Sequence, residues 1–173
     1  MAYGGAFFAI VDAPALGFAV EPKEARDLVT VGNRITAAAL RQLPVQHPEN
    51  PDIRGVTFTE FAMPFEGPGT VSRNAVVVAP GRLDRSPCGT GTCARLAVLH
   101  ARGRLRPGQG FIHESIIGSR FEAGIAGETA VGGRAGIVPT VAGQAWITGV
   151  FQHGLDPSDP FRSGYTLPDL WSA

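Results

Sequence analysis

Asp84-Arg85-Ser86-Pro87-Cys88-Gly89-Thr90-Gly91-Thr92 runs into Ala94-Arg95-Leu96-Ala97-Val98-Leu99-His100-Ala101-Arg102, and this join decides how the rest of the chain is read. The first stretch holds turn formers and one thiol. The second is rich in strong helix formers, and Gly103 closes it. A cysteine therefore stands at the start of a helix, with a glycine-rich approach behind it. Pro87 stiffens that approach, and the glycines let a ligand come close to the backbone.

Upstream, Tyr3–Val11 is apolar and ends at Asp12-Ala13-Pro14, which reads as a buried strand. Glu21–Leu43 has helical spacing at Ala25, Leu28, Val29, Ile35, Ala38, Ala39 and Leu40. Pro22 suits its first turn, Pro44 ends it, and Gly32-Asn33 marks an expected weak point. His47–Asp52 is a polar loop. Gly55–Met63 alternates and predicts a strand. Ser72–Ala79, with Ala75-Val76-Val77-Val78, predicts a central strand.

Downstream, four strands are expected at Phe111–Gly118, Ser119–Ala126, Ala135–Val141 and Gln144–Phe151, separated by Gly and Pro turns. The tail from Asp156 to Ala173 is expected to pack over the body through Phe161, Leu170 and Trp171. The sum is one strand-rich domain, 1–173, wrapped around one or two helices.

Composition removes several function classes. Lys plus Arg is 15 and Asp plus Glu is 15, so no basic footprint points to nucleic acid or to an anionic membrane. No apolar run reaches the roughly 18 residues of a membrane span. No secretory leader pattern opens the chain, so the cytoplasm is the expected compartment. Gly (23) and Pro (14) are abundant without a period, which excludes collagen and fits short strands with tight turns. Cys88 and Cys93 straddle a helix start, so a disulfide between them is not expected. His47, His100, His113 and His153 are far apart in sequence, with no CxxC or HExxH, so no metal site is expected.

The chemistry of 84–92 follows from the helix start. The first N–H groups of a helix lack internal partners and carry the positive end of its dipole. Such a terminus binds a small carboxylate and favours a thiolate, pulling a cysteine pKa of about 8.5 toward neutrality. Asp84 could accept a hydrogen bond from a substrate ammonium. Nucleophilic attack on a carbonyl and proton exchange beside a carboxylate both suit this arrangement. His100, the nearest histidine in sequence, lies across the helix run, which favours proton exchange. The competing reading makes Cys88 a small buried hydrophobe before an ordinary turn. The sequence is neither GxGxxG nor a P-loop, so nucleotide binding is disfavoured. Arg85 is expected to hold the loop, His113 and Glu114 to be structural or exposed, His47 to be solvated, and Ser119 to be a lesser candidate for the site.

The string from Asp84 to Thr92 resembles the second catalytic-cysteine signature of the proline racemase family. That family includes proline racemases, 4-hydroxyproline 2-epimerases and trans-3-hydroxyproline dehydratases. Tyr3-Gly4-Gly5-Ala6-Phe7-Phe8-Ala9-Ile10-Val11-Asp12 resembles the strand that opens the family's C-terminal half. Ser115-Ile116-Ile117-Gly118-Ser119-Arg120-Phe121 and Ile137-Val138-Pro139 resemble later strands. The resemblance covers nearly all 173 residues but only about the second half of a family member. The first cysteine, in a Met-Cys-Gly-His-like segment, has no counterpart here, and Cys93 does not replace it.

The resemblance implies an α+β fold, the diaminopimelate-epimerase-like half: a mixed β-barrel, closed or nearly so, wrapped around a central helix. It implies cofactor-independent epimerisation at Cα of a cyclic imino acid by two thiols, with neither pyridoxal phosphate nor a metal. Cys88 would be one acid/base thiol, Asp84 would hold the ring ammonium, and Gly89 and Thr90 would bind the carboxylate. The expected substrate is 4-hydroxyproline, because Val78 stands where proline racemases of the family carry an aromatic. Proline racemisation and 3-hydroxyproline dehydration are the alternatives within the family. A fragment that only binds a carboxylate and a subunit served by a separate N-terminal half are the others. Exposed apolar surface is expected around Cys88, facing that half or a second copy of the chain.

Overall fold

The computed structural model describes residues 1–167. Its strands are β1 (Ala2–Tyr3), β2 (Phe7–Asp12), β3 (Phe58–Ala62), β4 (Val71–Val78), β5 (Arg82–Leu83), β6 (Gly110–Glu114), β7 (Arg120–Val131) and β8 (Arg134–Gly143). Helix α1 spans Ala25–Gln42 and helix α2 spans Gly89–Ala101. One mixed sheet runs in the order β1-β2-β3-β4-β6-β7-β8, with β5 paired to β4 alone. β2 with β3, and β4 with β6, are parallel. The other pairs are antiparallel.

Alternation along the central strands sends side chains to opposite faces. Phe61, Ala75 and Val77 meet Leu28 of α1, together with Val20 and Ile116. Phe8, Val76, Ile10, Phe58 and Val78 face the other way, toward Ala94 and Cys88. Farther along α2, Leu96 and Leu99 pack with Phe65, Leu105, Phe111, Ala123 and Ile125. Helix α2 touches β1 and β2 near one end of the sheet and β7 and β8 at the other. The sheet thus curls around α2, and its end strands meet through the helix rather than through a ladder. The expected barrel around a central helix is present as this curled half-barrel. A helix enclosed in this way is apolar on most of its circumference, as 94–101 is.

Local sequence explains the elements and corrects three expectations. The expected strand at Tyr3–Val11 is a β1–β2 hairpin folded at Gly4-Gly5. A Cβ on Gly4 would collide with the Thr90 carbonyl and the Ala94 backbone, so this turn sits directly on α2. Gly32 is not a weak point. Helix α1 is continuous there, and a Cβ would lie 2.6 Å from Val77 Cγ2, so glycine is what lets α1 approach the sheet. Thr59 Oγ1 donates to the Gly32 carbonyl at 3.0 Å and seals that contact.

The third correction concerns the C-terminal side. β8 ends at Gly143, and Gln144–Phe151 forms no strand. Trp146, Ile147, Val150 and Phe151 are 74–94% exposed. A strand needs neighbours for its backbone groups and one covered face, and the described residues supply neither. Phe161 is also exposed and stacks on Tyr165 rather than on the body. Leu170 and Trp171 lie outside the described residues. Among the described residues no helix is long and apolar enough to cross a membrane.

Candidate functional site

Cys88 is the N-cap of α2. Its φ of 66° places a side-chain-bearing residue in the left-handed region, which costs on the order of 1–2 kcal/mol and needs external restraint. Four hydrogen bonds supply it. The Cys88 N–H donates to Ser86 Oγ at 3.0 Å, and its carbonyl accepts from Thr92 N–H at 2.8 Å. The preceding Pro87 carbonyl accepts from Asn74 Nδ2 at 2.8 Å and from the Thr92 hydroxyl at 3.4 Å. Ser86 is held in turn by Asp84, whose Oδ1 accepts from the Ser86 N–H (2.8 Å) and hydroxyl (2.9 Å).

The approach loop is also tied to the sheet. The Asp84 N–H donates to the Val76 carbonyl at 3.0 Å, continuing the β5 edge. The Ser119 hydroxyl donates to the Arg85 carbonyl at 2.7 Å. Arg85 therefore braces the loop, as expected, but through its backbone; its side chain is exposed. Ser119 positions the loop.

The thiol accepts from the Gly91 N–H at 3.4 Å and lies 3.6 Å from Thr90 Oγ1. Gly89 and Thr90 are exposed, and among the described residues their N–H groups have no acceptor. A Cβ built on Gly89 meets nothing within 4 Å, so the space above this turn is open. Two free N–H groups beside a thiol can take the two oxygens of a carboxylate.

The electrostatics differ from the sequence reading. Burial pushes the Cys88 thiol above its ordinary value. The Gly91 and Thr90 bonds pull the other way and are outweighed, while the charges of Asp84 and Glu60 add to the upward shift. Burial also pushes Cys93 up, with Cys88 contributing. The expected drop toward neutrality does not occur, because a half-buried thiol loses more from desolvation than two bonds return. Both cysteines are free. Cys93 lines a separate apolar cleft of about 520 Å³ with Tyr3, Ala97 and Ile137.

Asp84 lines a cleft of about 880 Å³ between α1 and the 81–85 loop; Cys88 does not line it. Asp84 thus stands between that cleft and Ser86. His100 is far along α2, bonded to the Leu105 carbonyl at 3.1 Å and paired with Glu128. His47 meets the Tyr3 ring edge-on, with centroids 4.9 Å apart, rather than standing free in solvent. Glu114 is clamped by Arg73 and Arg120; burial pushes its carboxyl up, but the hydrogen bonds and charges of the two arginines hold it below the usual range.

The sequence reading missed the layer beneath the cysteine. Glu60 of β3, Asn74 of β4, Thr92 of α2 and His113 of β6 are fully buried, with Arg95 beside them. Asn74 Nδ2 reaches Glu60 Oε1 at 3.3 Å, and Thr92 Oγ1 reaches His113 Nδ1 at 2.8 Å. Burial pushes Glu60 up to about 8, against Arg95 and Asn74, which lower it. Burial and the Arg95 charge push His113 down to about 3. The signal was available as Glu60 in the middle of an apolar strand, a polar residue at a position that reads as core.

Comparison with known proteins gives the family. A family model described as proline racemase matches residues 1–166. A 4-hydroxyproline 2-epimerase of Allorhizobium ampelinum is 44% identical over 173 residues, covering 100% of this chain and 49% of the relative. A crystal structure of a hydroxyproline epimerase from Agrobacterium vitis, with bound trans-4-OH-L-proline, superposes with a TM-score of 0.81 at 43% identity, over 99% of this chain and 49% of that one. A probable proline racemase from Agrobacterium radiobacter, with bound carbonate, gives a TM-score of 0.80 at 44% identity, over 98% and 49%. The chain spans about half the length of these relatives. With a family match along almost its whole length and a shared half-barrel, the chain belongs to the proline racemase family.

Proposed function

We propose that residues 1–173 form one of the two halves of an epimerase that inverts C2 of 4-hydroxyproline, and that Cys88 is one of its two acid/base thiols. The observation that carries this reading is the N-terminus of α2. There a restrained cysteine stands beside the unused N–H groups of Gly89 and Thr90. The relative named 4-hydroxyproline 2-epimerase, and the structure holding trans-4-OH-L-proline, support the choice of substrate. Val78 supports it too: it packs in the same apolar group as Cys88 and is smaller than an aromatic, leaving room for a ring hydroxyl.

In this reading the substrate carboxylate accepts from the Gly89 and Thr90 N–H groups. Negative charge that develops at Cα and spreads into the carboxylate is then stabilised where it forms. The ring ammonium approaches Asp84 through the oxygen that Ser86 does not occupy. One thiolate removes the Cα proton from one face, and a protonated thiol delivers a proton to the other. The half-reactions therefore need one sulfur ionised and one protonated. Burial pushes the Cys88 thiol up, which favours it as the proton donor of the resting pair. When it gives up its proton, the Gly91 N–H and Thr90 hydroxyl receive the new charge. The opposing thiolate belongs to the other half, and the roles exchange in the reverse direction.

The test is reconstitution. This chain, mixed with a separately produced N-terminal half of a close family member, is expected to convert trans-4-hydroxy-L-proline to cis-4-hydroxy-D-proline, read by chiral chromatography. The chain alone is expected to be inactive, and Cys88→Ser in the mixture to lose on the order of 10³-fold or more, the scale of a lost acid/base group. Full activity of Cys88→Ser would exclude the proposal.

A further inference from the structure

The polar layer under Cys88 centres on a buried carboxyl that no cation touches. The Thr92 hydroxyl has two acceptors within reach, the Pro87 carbonyl at 3.4 Å and His113 Nδ1 at 2.8 Å. When it turns to Pro87, the neutral His113 ring donates from Nδ1 and its Nε2 is a lone pair. It faces Glu60 Oε1 at 3.6 Å, and both Nε2 and Glu60 Oε2 are buried without a partner. In that tautomer an ionised Glu60 would set lone pair against lone pair, and in either tautomer its Oε2 would carry buried negative charge with no donor in contact. A neutral Glu60 avoids both costs.

Glu60 is also linked to the cysteine by two routes. Asn74 bridges its carboxyl to the Pro87 carbonyl, the peptide that fixes Cys88 in its left-handed conformation. On the other side, a Cβ on Gly91 would lie 3.2 Å from Glu60 Oε2, and the Gly91 N–H is the group that donates to the thiol.

We propose that Glu60 is a positioning residue that acts from beneath Cys88 as a neutral carboxylic acid. Losing its proton places a negative charge behind the helix turn that must stabilise the thiolate. The charged and titratable groups facing Glu60 are Arg95 and Cys88 from α2 and His113 from β6. β4 presents neutral Asn74, and β2 presents Phe8. Arg95 does not neutralise the carboxyl by contact. Its hydrogen bond goes to the Met63 carbonyl at 3.1 Å, and its Nε has no partner. The upward shift of the Glu60 carboxyl agrees with this picture.

The proposal deepens the reading of Cys88 as an acid/base thiol, and its test needs no turnover. Failure here leaves the reconstitution result standing, and failure of reconstitution leaves this result standing. Iodoacetamide alkylation of Cys88 is followed by mass spectrometry against pH in the 173-residue chain. The unmodified chain is expected to show two inflections, one from Glu60 and one from the thiol. Glu60→Gln, which keeps the shape of the side chain without a titrating charge, is expected to show one, shifted to lower pH. Superimposable profiles would overturn the proposal. Infrared spectra of the unmodified chain give a second reading that does not depend on a variant folding. A protonated-carboxyl C=O band is expected to persist at about pH 6, where ordinary carboxylates are ionised, and to vanish above about pH 9. No such band at about pH 6 would equally overturn it.

Discussion

Residues 84–105 and residues 144–167 are both apolar segments punctuated by Gly and Pro, and the fold treats them in opposite ways. In the first, Leu96, Leu99 and Leu105 are 0–3% exposed, and even the polar Thr92 is fully enclosed. In the second, Ile147 and Val150 are 90% and 94% exposed. The difference is not hydrophobicity. Helix α2 meets both ends of a curled sheet, so Leu96 and Leu99 find surfaces to cover. The segment after β8 leaves the last strand and meets none among the described residues. Apolar residues create a demand for burial, and only topology can meet it.

The largest expected effect follows directly. Leu96→Ala should destabilise the chain by about 2–5 kcal/mol, the range for emptying a closed core site. Val150→Asn should change stability by about 0.5 kcal/mol or less, as for an exposed side chain. Urea midpoints of the two variants check the pair. A loss at Val150 comparable to that at Leu96 would mean that the tail is covered in solution.

A second expectation uses the charges inside the first region. His113 is held neutral with a folded pKa near 3 against 6.5 when unfolded. Between those values the unfolded chain binds more protons, so stability falls as pH drops from 6.5 toward 3. Glu60 has the opposite sign. Its folded pKa of about 8 exceeds the ordinary 4.5, so the folded chain holds the extra proton, and stability falls as pH rises from 4.5 toward 8. Glu60→Gln should therefore remove the alkaline decline and leave the acid decline in place. Denaturation midpoints between about pH 4 and pH 9 measure both limbs.

Much of this contrast was legible in the residues. Helical spacing placed Glu21–Leu43 and 94–102 correctly, because a repeating apolar stripe needs only local information. The strands expected at Gly55–Met63, Ser72–Ala79, Phe111–Gly118, Ser119–Ala126 and Ala135–Val141 overlap β3, β4, β6, β7 and β8, although β6 stops at Glu114 and β7 runs on to Val131, and the signature at 84–92 revealed the family before any contact was known. Three features were hidden. The hairpin at Gly4-Gly5 depends on the backbone of α2 lying against it. The strand expected at Gln144–Phe151 has the right pattern and no neighbour. The buried layer of Glu60, Asn74, Thr92 and His113 is drawn from four elements, so no window of sequence contains it. The net direction of the Cys88 shift was missed as well, because spacing shows that a thiol stands at a helix end but not how much water it has lost.

The smallest effect is the most specific. Both thiols are pushed up by burial, so neither should alkylate rapidly at neutral pH, and both rates should climb as pH passes about 9. What separates them is local. Cys88 has the Gly91 N–H and the Thr90 hydroxyl within reach, and Cys93 has neither neighbour. Thr90→Val keeps the shape of the side chain and removes only the hydroxyl at 3.6 Å from the sulfur. A hydrogen bond of that length is weak, worth about 0.5 kcal/mol at most, so Cys88 labelling at fixed pH should slow by roughly two-fold. Cys93 labelling should stay constant and serves as the internal reference. Equal slowing at both sites would trace the effect to the fold as a whole. Slowing confined to Cys88 would show that the first turn of α2 still stabilises the thiolate, even where burial pushes the thiol up.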